Sequence, residues 1–422
     1  MKEPEDKWNI VYYLFFLFGI GKVLPFNAIV TAIDYFDQSF PTRDVSFSFN
    51  LMLNGPNFLF NFVNIFTARI ISLRIRLLTS IALIFVMVWL LPITTNFMDE
   101  STGWIILIFI IVILGISNSF LHAGVFGLAG MFPFKYTGAV MFGNGISGIS
   151  MNVSRMATLA AFPPKEIEEE GVDPKAFIGC IVYFAIASAI LAFCFVGYFV
   201  MAKTEFAKFY MNQKCAKAKI SIKPNHTENY DQLITHEIEE SSQDNQMESK
   251  GFLRVYKDIW SMGTQVFLCF AITFVVFPGT HLSTHFDFLG DSLADKAWFS
   301  VIMITIYNLF DTIGRFAGGF VQILTSETLF YLTITRLVFI PTSVLVQLNS
   351  RPSWIFQSDW FRILNMALFA VTNGYNSTLC MMYGPSQTDK NSKERAGIIM
   401  SFHLLGGVFV GALISTFVMV YV

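Results

Sequence analysis

The segment WIILIFIIVILGISNSFLHAGVFGLAGMF, Trp104 to Phe132, decides the fold. It contains no Asp, Glu, Lys or Arg, and it exceeds the run of about twenty mainly apolar residues that a helix needs to cross a hydrocarbon core of roughly 30 Å. Hydrocarbon offers no water to backbone amides, so the segment is expected to be a transmembrane helix bonded to itself. Asn118 and His122 lie one turn apart within it. A histidine at that depth either bonds a neighbouring carbonyl or faces a pathway, where it can donate, accept or titrate.

Working outward, about eleven such segments are expected in all. The first six run near Asn9 to Ala32, Phe47 to Ile71, Ile75 to Thr95, Trp104 to Phe132, Tyr136 to Phe162 and Ala176 to Met201. The remaining five run near Met262 to Leu282, Trp298 to Leu324, Leu329 to Leu348, Trp360 to Tyr383 and Ala396 to Tyr421. The chain of 422 residues is 14% charged, whereas a soluble protein is about a quarter charged, so its apolar surface must face lipid. Residues 202–257 alone look soluble, with lysines followed by the acidic run His236 to Glu248. They are expected to form a cytoplasmic, partly disordered linker between a six-helix bundle, 1–201, and a five-helix bundle, 258–422. Lysine and arginine concentrate in alternate short loops, at Arg69, Arg74 and Arg76, at Lys135, and at Lys390, Lys393 and Arg395. The opposite loops carry Asp99 and Glu100, Glu166 to Glu170, and Asp287 to Asp295. The positive-inside bias therefore predicts a cytoplasmic N-terminus and an extracellular C-terminus.

Polar side chains inside the spans are costly unless they face other helices or water. In the second span Asn50, Asn54, Asn57, Asn61 and Asn64 recur at intervals of three or four, which gathers them into one stripe. Such a stripe suits either helix-to-helix amide bonds or the wall of a cavity. In the eighth span Asn308, Asp311 and Arg315 share a face, and the opposite charges at i and i+4 can neutralise one another. That pair is either a lock between helices or a binding and gating element. Lys22 lies too deep in the first span to reach the interface easily and is expected to be a pathway charge or a partner of Asp311. Pro25 and Pro56 are expected to kink their spans. Small-residue pairs such as Gly314 with Gly318 and Gly407 with Gly411 mark close helix approaches.

Enzyme signatures are missing: the sequence has no phosphate loop, no H-E-x-x-H and no G-x-S-x-G elbow. Its histidines are too dispersed to suggest a metal site, and no cofactor is expected. A net charge of −2 lacks the basic footprint that nucleic-acid binding requires. The five cysteines offer no external disulfide framework. The expected partners are thus a small solute and membrane lipid, with protons if transport is coupled.

Motifs spread along nearly the whole chain resemble the equilibrative nucleoside transporters. They are GIGKVLPFN at Gly19 to Asn27, FGLAGMFPFKYTGAVMFGNGISG at Phe126 to Gly148, NLFDTIGR at Asn308 to Arg315, RLVFIP at Arg336 to Pro341, TNGYNSTLCMMYGP at Thr372 to Pro385 and AGIIMSFHLLGG at Ala396 to Gly407. The resemblance implies an all-α membrane protein with eleven helices in a six-plus-five arrangement like that of the major facilitator superfamily. It also implies alternating-access transport of nucleosides, and in some cases nucleobases, by equilibrative diffusion. It places Asp311 and Arg315 at the sugar hydroxyls and His122, where the family usually has glutamine, at the base. Asn27, Val23, Val30, Asn54, Asn57 and Val408 fall on pocket positions, with Asn308 and Asn118 beside them. Lys22 stands where the family is uncharged. Lys22 and His403 are candidates for gating or coupling, because the alternatives to an equilibrative carrier are a proton-coupled symporter and a non-transporting receptor of the same fold. The plasma membrane is the default location.

Overall fold

The computed structural model describes residues 4–68, 70–161, 174–211, 251–277, 288–290, 292–347, 356 and 358–421. Among them there are helices and turns and no strand. Arg69, the acidic loop Glu166 to Glu170, Asp287, Asp291 and most of the expected linker, with Cys215, lie outside the described residues.

Helix α1 spans Ile10–Thr31 and is followed by a short α2, Ile33–Ser39. Asp6 starts α1: its carboxylate accepts the amides of Val11 and Tyr12 at 3.1 Å and the hydroxyl of Tyr136 at 3.0 Å. An anion there satisfies donors that the first turn leaves open. Next come α3 (Val45–Thr67), α4 (Leu73–Phe97), α5 (Glu100–Met131), α6 (Phe134–Ala161) and α7 (Pro174–Lys203). A short α8, Glu205–Met211, follows. The later helices are α9 (Phe252–Val276), α10 (Leu293–Phe320), α11 (Leu329–Thr335), α12 (Phe339–Gln347), α13 (Asp359–Ser386) and α14 (Lys393–Tyr421). Pro25 and Pro56 lie inside the continuous helices α1 and α3.

Among the described residues, eight helical stretches are long and apolar enough to cross a membrane. Helices α3, α6 and α13 are of similar length, but asparagine and glycine dilute their apolar character. Two departures from the expected spans have local causes. Helix α9 starts ten residues before Met262, because Arg254, Lys257 and Asp258 ride its first turns without breaking it. The ninth span is divided by a 3-10 turn at Arg336–Val338. Pro341 has no amide proton for the carbonyl of Leu337, so the chain tightens there and restarts with proline in the first turn of α12.

Small residues set the helix crossings. A Cβ on Gly19 would strike the Val140 carbonyl and one on Gly143 the Phe16 carbonyl, so α1 and α6 touch backbone to backbone. Gly314 against Val371 and Gly374 against Asp311 bring α10 and α13 equally close. Within lipid, where burying apolar surface gains little, such close packing holds helices together. Helices α1, α6 and α7 pack together, as do α3, α4 and α5; later in the chain α9 packs on α13 and α14, and α10 on α13. The earlier and later helices meet where α6 crosses α10 and where α14 lies against α3 and α5. At one end of that second contact Arg76 of α4, 2% exposed, pairs with Glu394 of α14 at 3.0 Å.

Candidate functional site

The α6–α10 crossing places the eighth-span charges. Asp311 and Arg315 are successive on one face of α10 and form a buried ion pair, Nε to Oδ2, at 2.6 Å. The other carboxylate oxygen of Asp311 accepts from Asn373 Nδ2 of α13 at 2.8 Å. Asn373 carries the network onward: its amide oxygen accepts from Thr273 of α9 at 2.8 Å and from Arg336 at 3.3 Å. Arg336 is 0% exposed and also donates to the Phe369 carbonyl and to Thr372. Two buried guanidinium groups are thus tied to one carboxylate, Arg315 directly and Arg336 through Asn373. A network this connected fixes the carboxylate's direction, because each buried charge needs its partners. Arg315 also reaches across the crossing, with Nη1 3.8 Å from Met141 Sδ of α6.

On the earlier helices, Lys22 of α1 and His122 of α5 are neighbours of one another. Lys22 is 1% exposed, its Nζ 3.9 Å above the ring of Phe126. In the amide orientation that satisfies its neighbours, Asn144 accepts from Lys22 Nζ at 3.3 Å and donates to the carbonyls of Gly19 and Val140. Asp311 is therefore engaged by Arg315 and Asn373, while Lys22 rests on an aromatic face and an amide oxygen. Lys22 is within electrostatic reach of both Arg315 and His122. His122 is 7% exposed, sits edge-on to Phe126, and its Nδ1 has no hydrogen-bond partner.

The remaining expected positions divide. Asn27 donates to Ser147 at 3.0 Å, across α1 and α6. Asn308 packs on Gly148, where a Cβ would stand 2.7 Å from its amide oxygen. Asn54, Asn57, Asn118 and Val408 are buried, Val23 is half-buried and Val30 is 48% exposed. His403 faces elsewhere: Nδ1 bonds the Ile399 carbonyl at 2.9 Å, and the ring stacks on Tyr256 and covers Gly263 between α9 and α14. On α3, Asn61 donates to the Ser119 carbonyl at 3.3 Å and to Ser401 at 3.2 Å, joining three helices. The amide oxygens of Asn57 and Asn61 and both polar atoms of Asn64 have no such partner. The side chain of Asn50 lies outside the described residues.

Sequence reasoning passed over Asn373, Arg336, Thr273 and Asn144. Arg336, a charge inside an apolar span, and the Asn373–Asn376 pair at i and i+3 were the available signals.

A family model described as Nucleoside transporter matches residues 108–420. The chain belongs to the nucleoside transporter family. Among curated relatives of this family, the human Equilibrative nucleoside transporter 1 is 26% identical over 455 residues, covering 98% of this chain and 97% of the relative. The Equilibrative nucleotide transporter 1 of Arabidopsis thaliana is 26% identical over 424 residues, covering 99% and 87%. Among solved structures, the proton:xylose symporter XylE superposes with a TM-score of 0.66 at 11% identity, covering 99% of this chain and 90% of that one. The outward conformation of FucP gives 0.59 at 12%, covering 98% and 96%. The fold of this family member is therefore that of the major facilitator superfamily. It is an integral multi-pass membrane transporter and not an enzyme.

Proposed function

We propose that this chain carries nucleosides across its membrane by facilitated diffusion with alternating access. The observation that carries the reading is the buried Asp311–Arg315 pair at the α6–α10 crossing, with Lys22 in electrostatic reach of Arg315 and His122 beside Lys22. Ribose presents adjacent hydroxyls that a carboxylate accepts from and a guanidinium donates to. A base needs an apolar or aromatic slot and a few directional bonds. In this reading Asp311, Arg315 and Asn308 hold the sugar, and His122 reads the base edge with Asn118, Asn54 and Asn57. Asn27, Val23, Val30 and Val408 line the path.

The eight apolar stretches together with α3, α6 and α13 make eleven crossings. They divide into a bundle within 1–201 and a bundle within 258–422, joined by 202–257 on the cytoplasmic side. Arg74, Arg76, Lys135, Lys390 and Lys393 in alternate loops support a cytoplasmic N-terminus and an extracellular C-terminus. The α6–α10 and α3–α14 contacts are the ones that part in turn during the cycle. His403 bonds its own helix, away from Asp311, which favours uncoupled transport.

Uptake of radiolabelled adenosine into proteoliposomes tests the proposal. Saturable uptake is expected, equal with and without an inward proton gradient; no uptake overturns transport, and accumulation driven by the gradient overturns the uncoupled mechanism. His122→Gln should still transport, with the inhibition ratio of purine to pyrimidine nucleosides displaced by about tenfold, the scale of one hydrogen bond. Competition by a nucleoside panel measures it, and an unchanged ratio removes His122 from base recognition.

A further inference from the structure

Among the described residues, no carboxylate pairs with Lys22. Among the described residues the ion pairs are Arg76–Glu394, Lys208–Glu205, Arg315–Asp311 and Arg362–Asp359. Asp311 is thus already matched by Arg315, Arg336 reaches the same carboxylate through Asn373, and no described carboxylate pairs with Lys22. The neighbours of its amine are the Phe126 ring and the Asn144 amide oxygen. Both stabilise a cation, but neither supplies the full negative charge that an ammonium in a low-dielectric interior requires. Beside it, His122 is more than nine-tenths buried with Nδ1 unpartnered. An amine without a counter-ion and a ring nitrogen without its bond, in electrostatic contact with one another, are two buried groups that one occupant can complete.

We infer that the base end of this site is built for a nucleoside whose base carries a negative charge, with Lys22 as the residue that selects it. The inference rests on the nucleoside reading above and adds the charge of the substrate. An oxopurine ring ionised at neutral pH, as in xanthosine, brings one delocalised negative charge and ring-edge acceptors, together with N–H groups. Lys22 donates to the anionic edge, and His122 Nδ1 gains a partner in either tautomer. Asp311 and Arg315 remain available to the ribose, which an ionised base leaves unchanged. The negative charge of such a base supplies Lys22 with a counter-ion, whereas a neutral base leaves Lys22 as it stands.

The test uses the full chain in proteoliposomes and compares xanthosine with inosine as competitors of labelled adenosine uptake at neutral pH. The two share the ribose and the purine skeleton and differ in the C2 oxygen of xanthosine and the ionisation it brings. Xanthosine is expected to compete better by about tenfold, the scale of one hydrogen bond to a charged group. The ratio of the two inhibition constants should persist in Lys22→Arg and fall about tenfold in Lys22→Met. Because it is a ratio, it does not depend on how much of each variant inserts, and the wild-type comparison stands alone if Lys22→Met fails to fold. Equal competition in the wild type, or a ratio unmoved by Lys22→Met, overturns the assignment. Vesicles that take up no nucleoside overturn the transport reading and this inference together. Uptake of inosine with exclusion of xanthosine overturns this inference alone.

Discussion

Asp311→Asn reduces uptake per folded molecule to below about one hundredth of wild type, the largest functional effect expected of a conservative substitution here. The carboxylate does two things at once, and an amide of the same shape, neutral and with one oxygen, cannot do both. It neutralises Arg315 at 2.6 Å inside the protein, and its second oxygen accepts from Asn373. Removing the charge leaves a buried guanidinium without a counter-ion, at a cost of about 3–5 kcal/mol. Part of that loss falls on folding, so a second variant separates binding from stability. Asp311→Asn combined with Arg315→Met removes both charges and should recover thermal stability in detergent, since neutral replacement of a buried pair is often tolerated. Uptake should remain absent. Uptake in the double variant would show that the pair merely fastens helices.

Gly374→Val is the second large effect. The new Cβ meets the backbone carbonyl of Asp311 and the amide of Arg315, and backbone on two packed helices cannot step aside as a side chain can. Helix α13 must move off α10, with overpacking costs of about 1–3 kcal/mol or more. The displacement falls on the residues that hold the carboxylate. Both the melting temperature in detergent and the uptake per molecule should drop sharply. Gly319→Ala is the control: a Cβ there meets nothing within 4 Å, and alanine favours the helix by about 1 kcal/mol. A Gly374→Val protein as stable and active as wild type would remove the close crossing as a determinant of the site.

The helices were legible because lipid imposes one rule on every segment that crosses it, and Trp104 to Phe132 states that rule without interruption. The Asp311–Arg315 pairing was legible too, since i and i+4 on a helix meet whatever surrounds them. What the sequence hid were contacts between residues far apart in the chain. Asn373 joins Asp311 to Thr273 and Arg336 from 62, 100 and 37 positions away, and no periodicity points across such distances. The expected link between Lys22 and Asp311 failed for the same reason. A chain shows which charges are buried, but the choice of partner depends on helix crossings, here set by Gly19, Gly143 and Gly374. His403 illustrates the converse: its depth marked it as a candidate, whereas Tyr256 and Gly263, more than a hundred residues earlier, give it a packing role.

The asparagines of α3 bear on how fast the carrier can cycle. Phe58 stacks on Phe402 and Phe409 of α14, and separating these rings loses contact area. On the same helix, amide atoms of Asn57, Asn61 and Asn64 are buried without protein partners, and each recovers about 1–3 kcal/mol when water reaches it. The two contributions have opposite signs as the helices part. A seam of leucines in their place would deepen the closed well and raise the barrier out of it. In the alternating-access cycle proposed above, such amides would act as a lubricant, flattening the free-energy profile along which the two halves rock.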